Sequence, residues 1–324
     1  MKPYSPETVA DVCLILEGSA ALGHGSESDS VRQIIEGMPE LSFSILLLND
    51  SEDELKVAVG QIPNNVVHLE GHCLPKMSDD PIVSQAQWFR NRLQSDAFNL
   101  TDQLHDDLRN GKSDDATVNG FAELISGDAP LTNDDLQRHR FAWDRIRKQY
   151  GQAPDELDLK EYFWAVCSMH KPLFALPGIV EKAPLANCYH CFSSGYAGFL
   201  GAMLKQKTGR PLLVSETGAD SDEYELDQAK LQWVPEKFNP FLAENDEQSS
   251  YLRQAWVRFF VSLGRMTYAA CDEIFTAEKA NWSSQVHHGA EEAKLRVVLD
   301  SDFREIYRAH SSKPHRDSQS KRAS

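Results

Sequence analysis

One stretch limits the fold more than any other: the residues from Asn187 to Thr217. A short apolar strand ends at His190. Ser193, Ser194 and Gly195 make a turn of small residues, and a helix opens there with Gly198 and Gly201 on one side. Lys205 and Lys207 close the helix, Gly209 stops it, and a second strand runs from Pro211 to Ser215. Strand, small-residue turn, helix, glycine stop and strand, in that order, is a βαβ unit by its punctuation. Such units build parallel sheets, and ligands sit outside the carboxyl ends of the strands. His190 and Glu216 both fall at such ends, which makes them the first candidates for chemistry.

The same logic repeats upstream. Asp11 to Leu16 is a continuous apolar run, as expected of a strand buried on both faces, and Glu17-Gly18 breaks it. A loop rich in Gly and Ser covers Ser19 to Asp29. A helix follows over Val31 to Met38, then strands over Ser42 to Leu48 and Val66 to Leu69. From about Ser84 to His170 strand signals vanish. Trp88, Leu93, Leu100, Leu104 and Leu108 mark one amphipathic stretch, and Phe121 and Leu124 a shorter one. Thr132 starts a helix that carries Leu136, Phe141, Trp143 and Ile146, with Asp134 and Asp135 against the positive end of its dipole. Asp158 caps another helix, with Tyr162, Phe163, Val166 and Met169.

Beyond the central unit, helices are expected over Glu223 to Leu231, Glu247 to Tyr268 and Ala277 to His288. Short strands are expected over Cys271 to Phe275 and Leu295 to Leu299. The tail is polar and basic, and 304–324 reads as disordered. The expected architecture is therefore α/β: a Rossmann-like parallel sheet flanked by helices over 1–303, with a helical insertion at about 75–170 that could equally form a small lobe of its own.

Net charge and cysteine usage narrow the setting. A net charge of −16 repels nucleic acid and anionic lipid, so neither is an expected direct partner. Six cysteines scattered over 324 residues are no disulfide framework and fit a reducing compartment. The start lacks a basic leader with an apolar core, and no apolar run is expected to approach the roughly 20 residues that span a bilayer. The expected location is cytoplasmic, with peripheral attachment to the inner membrane through a partner and no direct membrane insertion.

Several motifs carry weaker chemistry. His68, Glu70 and His72 resemble metal ligands, but the order is not His-Glu-x-x-His and the segment follows a strand pattern. Cys188 and Cys191 have redox or zinc half-motif spacing without a second pair, and buried strands hold Cys comfortably. No metal is expected. Gly23-His24-Gly25 follows the first strand and precedes a helix, where backbone can approach a phosphate. His190 and Glu216 read equally well as catalytic groups or as hydrogen-bonded structural residues at strand ends.

Five blocks together resemble a known family: Val12-Cys-Leu-Ile-Leu-Glu-Gly18, Glu36-Gly-Met-Pro-Glu-Leu-Ser-Phe-Ser44, Asn65-Val-Val-His-Leu-Glu70, Ser194-Gly-Tyr-Ala-Gly-Phe-Leu-Gly201 and Arg253-Gln-Ala-Trp-Val-Arg-Phe-Phe260. In order and spacing they look like the N-terminal domain of the PelF family, cytoplasmic glycosyltransferases of Pel exopolysaccharide synthesis. PelF resembles retaining family-four enzymes of the GT-B fold. The resemblance implies the acceptor-side, N-terminal half of a GT-B fold. It also implies that the C-terminal nucleotide-sugar domain of that fold is absent here. It assigns catalysis to His190 and Glu216 and substrate binding to Gly18, Gly25, Ser194, Gly195 and Tyr196. The ancestral reaction would transfer sugar from a UDP-sugar donor, with no cofactor or obligatory metal.

The departures cluster at the cleft. The second of the family's paired glycines is Ser26, followed by Glu27, and the family's Thr-Glu-His-Gly is Ser215-Glu-Thr-Gly218. Asp220, Asp222 and Glu223 replace basic residues. The expectation is a protein that is non-catalytic on its own. It would act by binding a partner, another glycosyltransferase or a membrane polysaccharide-synthesis complex. The competing expectation is half of a split enzyme, active once a separate donor half docks. A surface left bare by a missing half would also favour a homo-oligomer.

Overall fold

The computed structural model describes residues 9–18, 26–49, 62–75, 115–127, 130–151, 153–154, 157–216, 247–276, 279–299 and 302–311. In chain order the elements are β1 (Ala10–Glu17), α1 (Ser26–Gly37), β2 (Phe43–Asn49), β3 (Val66–Cys73), α2 (Asp115–Ser126), α3 (Asn133–Arg138) and α4 (Arg140–Tyr150). Next come α5 (Leu159–His170), α6 (Leu176–Lys182), β4 (Ala186–Cys191), α7 (Tyr196–Thr208), β5 (Leu212–Glu216) and α8 (Glu247–Ala270). The last are β6 (Glu273–Thr276), α9 (Trp282–His287), β7 (Leu295–Val297) and α10 (Phe303–Ser311). The chain divides into two compact units. One comprises residues 1–73, 179–222 and 263–324; the other comprises 74–178 and 223–262.

The first unit holds one seven-stranded sheet in the order β3-β2-β1-β4-β5-β6-β7. Each neighbouring pair is parallel. This is the Rossmann-like α/β sheet that the strand, turn and helix order predicts. The apolar runs explain why. All seven residues of β2 are buried, and so are Val12 to Leu16 of β1, as a strand with both faces covered requires. The strand order reverses between β1 and β4, and the carboxyl ends of those strands are where such sheets take ligands.

Side-chain clamps fix the strand ends. Asn65 Nδ2 donates to the carbonyls of Ile35, Met38 and Leu41 at 2.9, 3.0 and 3.2 Å, tying the α1–β2 connection to the start of β3. The main core gathers Leu14, Leu16, Ile34, Phe43, Ile45, Phe192, Phe275, Phe303 and Tyr307. Phe303 and Tyr307 correct the expectation of a disordered tail from 304. Residues 303–311 form α10, Phe303 and Tyr307 stack at 5.7 Å, and both are buried against the sheet. The polar composition of this segment concealed an amphipathic helix, because its large apolar residues are only Phe303, Ile306 and Tyr307, on one face. On the outer face Arg304 and Arg308 pair with Glu40 at 3.3 and 2.8 Å.

The second unit is helical among its described residues. Thr132 caps α3 with a reciprocal capping box through Asp135, and Asp158 caps α5 by accepting from the Lys160 N–H at 2.8 Å. The single helix expected after Thr132 is two helices. His139 is extended, and its Nδ1 accepts from the Phe141 N–H at 3.2 Å. The break rotates the pattern: Phe141 and Trp143 are 40% and 37% exposed, while Ala142 and Ile146 are buried. Leu159–Lys182, crossing α5 and α6, is long and apolar enough to cross a membrane by length and composition, but more than half of its apolar window is buried inside the fold. Sequence patterning passes over it because three different helical segments share it. The helices expected near Trp88 to Leu108 and Glu223 to Leu231 lie outside the described residues.

Candidate functional site

The carboxyl edge of the sheet begins with the turn after β1. Gly18 has φ of 89°, a left-handed conformation that a side chain would strain, and its N–H donates to the Leu48 carbonyl at 2.8 Å. This turn leaves Glu17, half-buried, as the last residue of β1. Its Oε2 accepts from the Ala197 N–H at 3.0 Å and from Ser193 Oγ at 3.2 Å. Ser193 Oγ in turn accepts from the Gly195 N–H at 3.0 Å. Glu17 thus caps α7, whose own cap position, Gly195, has no side chain to do so. A carboxylate is favoured there by the unsatisfied N–H groups and the helix dipole.

Small residues allow these elements to close. A Cβ on Gly198 would lie 2.6 Å from Thr267 Cγ2 and 2.8 Å from the Ser193 carbonyl; one on Gly201 would lie 2.6 Å from Cys191 Sγ. Thr267 Oγ1 donates to the Ser194 carbonyl at 3.0 Å. The Ser193–Gly195 turn is therefore held between β1 and the last turns of α8.

Glu216 ends β5 and is half-buried. Its Oε2 accepts two hydrogen bonds, one from the Tyr268 hydroxyl and one from Gln285 Nε2 at 3.3 Å. Burial, then the charge of Glu216, pushes the Tyr268 phenol far above its ordinary range, so it stays a donor. Two polar groups thus lie on this edge: Glu17 with Ser193, and Glu216 with Tyr268 and Gln285. Gln285 is 4% exposed and its Oε1 has no hydrogen-bond partner.

The other predicted residues separate from this chain. His190 was expected at a strand end facing a crevice. The strand runs on to Cys191, and the imidazole is fully buried. Its Nδ1 shares a hydrogen bond with the Tyr307 hydroxyl at 2.6 Å and its Nε2 one with Ser215 Oγ at 2.7 Å. Phe192 and Phe303 flank the ring at 4.5 and 5.1 Å. Burial lowers its pKa to about 3, so the ring is neutral. Tyr196 is also fully buried, and burial followed by the charge of Glu17 raises its phenol well above the ordinary range. Ser194 and Gly195 lie on the edge as expected, Gly18 shapes the turn, and Gly25 falls outside the described residues.

Glu17, Tyr268 and Gln285 were not among the predicted residues. Glu17 carried a usable signal, since it ends the first strand of a parallel sheet. Tyr268 and Gln285 carried none, because nothing in their spacing ties them to β5. His68, Glu70 and His72 do share one face of β3, with Glu70 3.3 Å from each ring. Among the described residues no group of three or more His, Cys, Asp or Glu side chains is arranged to hold a metal ion. Cys188 and Cys191 are buried free thiols, both raised chiefly by burial. A cavity of about 250 Å³ lies by the other end of β4, between Leu185, Tyr189, Leu204 and Lys207.

The chain belongs to the family described as a domain of unknown function, DUF3492, which matches residues 10–293. Among curated proteins none matches it. A solved UDP-glucosyltransferase from Polygonum tinctorium, capable of glucosylating indoxyl and in complex with 3,4-dichloroaniline, is similar at 10% identity with a TM-score of 0.33. The similarity covers 90% of this chain and 52% of that one, so the chain spans about half the length of that enzyme.

Proposed function

We propose that this chain corresponds to the acceptor-side half of a PelF-like, GT-B glycosyltransferase of exopolysaccharide synthesis. It does not hold a nucleotide sugar on its own, and it works by binding a protein partner at the cytoplasmic face of the membrane. The family match spans all five sequence blocks on which the PelF resemblance rests. The observation that carries the non-catalytic reading is Glu17. A helix N-terminus at the switch point of a parallel sheet is where such a half can take a diphosphate. Here a carboxylate of the same chain occupies that position. A phosphate arriving beside it would meet like charge, at a cost of roughly 4 kcal/mol per unit-charge pair about 4 Å apart at an effective dielectric near 20. His190, sealed among aromatic rings and neutral, serves the core in this reading.

Calorimetric titration of the full chain with UDP and with UDP-N-acetylhexosamines tests this. No saturable binding is expected. Saturable binding in the micromolar range overturns the reading. Glu17→Gln removes the charge while keeping an acceptor for the helix, and a gain in pyrophosphate binding by that variant is the expected signature of a site that Glu17 keeps closed.

A further inference from the structure

We propose that the outer face of α4 seats the chain on an anionic lipid surface. The helix carries Arg140, Arg145, Arg147 and Lys148 against one carboxylate, Asp144. A net charge of −16 speaks against an anionic partner for the chain as a whole, so a helix of the opposite sign stands apart from it. Burial shows how the helix is turned. Ala142 and Ile146 are buried and fix its inner side. Arg140, Phe141, Trp143, Asp144, Arg147 and Lys148 are all exposed. At about 100° per residue, the four charged ones fall on one stripe, with Trp143 at one margin and Phe141 at the other. Asp144 pairs with Arg140 at 3.7 Å, which leaves the stripe with a surplus of cations.

The two rings are held in place from one side. Phe141 stacks on His139 at 5.4 Å, and Trp143 meets Phe163 edge-on at 5.3 Å. Lipid headgroups match both features of the face at once. Their phosphates attract the cations, and aromatic rings rest at the level of the headgroups. A fluid surface needs only this much, charge and shallow aromatic contact. An acidic protein would take its energy from an anchor residue in a desolvated pocket, and the convex flank of one helix supplies no such pocket. None of the five sequence blocks that carry the family resemblance falls within 74–178, where α4 lies, so the face comes from this helical unit and not from the sheet. It gives the chain a direct hold on the membrane, in place of attachment through a partner alone.

Flotation of the full chain with vesicles tests this, using phosphatidylcholine alone and an equimolar mixture with phosphatidylglycerol. Binding to the anionic vesicles that weakens with added salt is expected, and none to the neutral ones. Each basic residue near an anionic surface contributes about fivefold, so Arg147→Gln combined with Lys148→Gln should weaken binding about 25-fold. Arg32→Gln combined with Arg296→Gln makes the same change in net charge in the other unit, and it should bind as the parent does. Trp143→Phe gives a readout that does not depend on charge. Lipid brominated near the headgroup end of its chains should quench part of the tryptophan emission, and that part should vanish in this variant while binding persists. Circular dichroism melts show whether each variant folds, and the Trp143→Phe readout stands if the double variant does not. No binding to either vesicle, equal binding to both, equal loss in the two double variants, or quenching unchanged in Trp143→Phe overturns the proposal. Binding of polyglutamate without binding of vesicles also overturns it and makes the face a protein site. UDP titration bears only on the reading of Glu17, so a failure of one is told apart from a failure of the other.

Discussion

His190 and Glu216 sit on adjacent strands and look alike in the sequence, yet they have opposite environments. His190 is fully buried, and its polar atoms are both matched. Glu216 is half-buried, and Oε1 of Gln285, which donates to it, has no hydrogen-bond partner. Register is the first cause. His190 pairs with Leu213, so it lies inside the sheet, while Glu216 is the last residue of β5. The second cause is α10, whose Phe303 and Tyr307 close over the imidazole. A polar residue near a strand end becomes a core group when aromatic side chains of a helix close over it, as at His190; Glu216 instead meets the hydrogen-bonding side chains of Tyr268 on α8 and Gln285 on α9. Matched groups favour stability.

The predictions sharpen or break that contrast. Phe303→Ala should have the largest effect, lowering unfolding free energy by about 3–5 kcal/mol in urea denaturation, because it opens a cavity over His190. A loss under about 1 kcal/mol would mean that α10 does not seal the sheet.

The pH dependence comes next. The folded imidazole titrates at about 3, well below the ordinary value of 6.5, because of burial. The unfolded chain therefore takes the proton first as pH falls. Stability from His190 is complete above about 6.5 and is lost as pH drops toward 3, on the order of 3 kcal/mol by pH 4. His190→Gln should flatten this part of the stability profile, and an unchanged slope would show that His190 is not sealed.

Gly198→Ala should cost about 1–3 kcal/mol, since its Cβ would press on Thr267 and on the Ser193 carbonyl. Thermal melts measure this, and Gly37→Ala, with open space around the added carbon, is the control. Gln285→Met should change stability least, by under about 1 kcal/mol, because the lost hydrogen bond is offset by removing an unmatched oxygen. A loss of several kcal/mol would make Gln285 a structural residue like His190.

Much of the fold was legible in the residues. Continuous apolar runs such as Cys13 to Leu16 mark strands buried on both faces, and Gly209 with φ of 68° ends α7 where the glycine stop predicts. Less of the site was. His190 and Glu216 have the same signal, a polar residue after an apolar run. What separates them is a helix 117 residues further along the chain from His190. Gln285 reaches Glu216 across 69 residues, and no local pattern encodes that meeting.

The sequence by itself determined the parallel α/β sheet, the βαβ unit at its centre and the small residues that let α7 close on it. Those depend on period, propensity and the size of single side chains, all local properties. Tertiary structure alone decided which strand-end residue was sealed and which stayed open, that Glu17 would cap α7, and that the polar segment after β7 would cover the core. Those outcomes depend on which distant segment arrives at each strand end, and burial, charge and hydrogen-bond matching are set only once it has arrived.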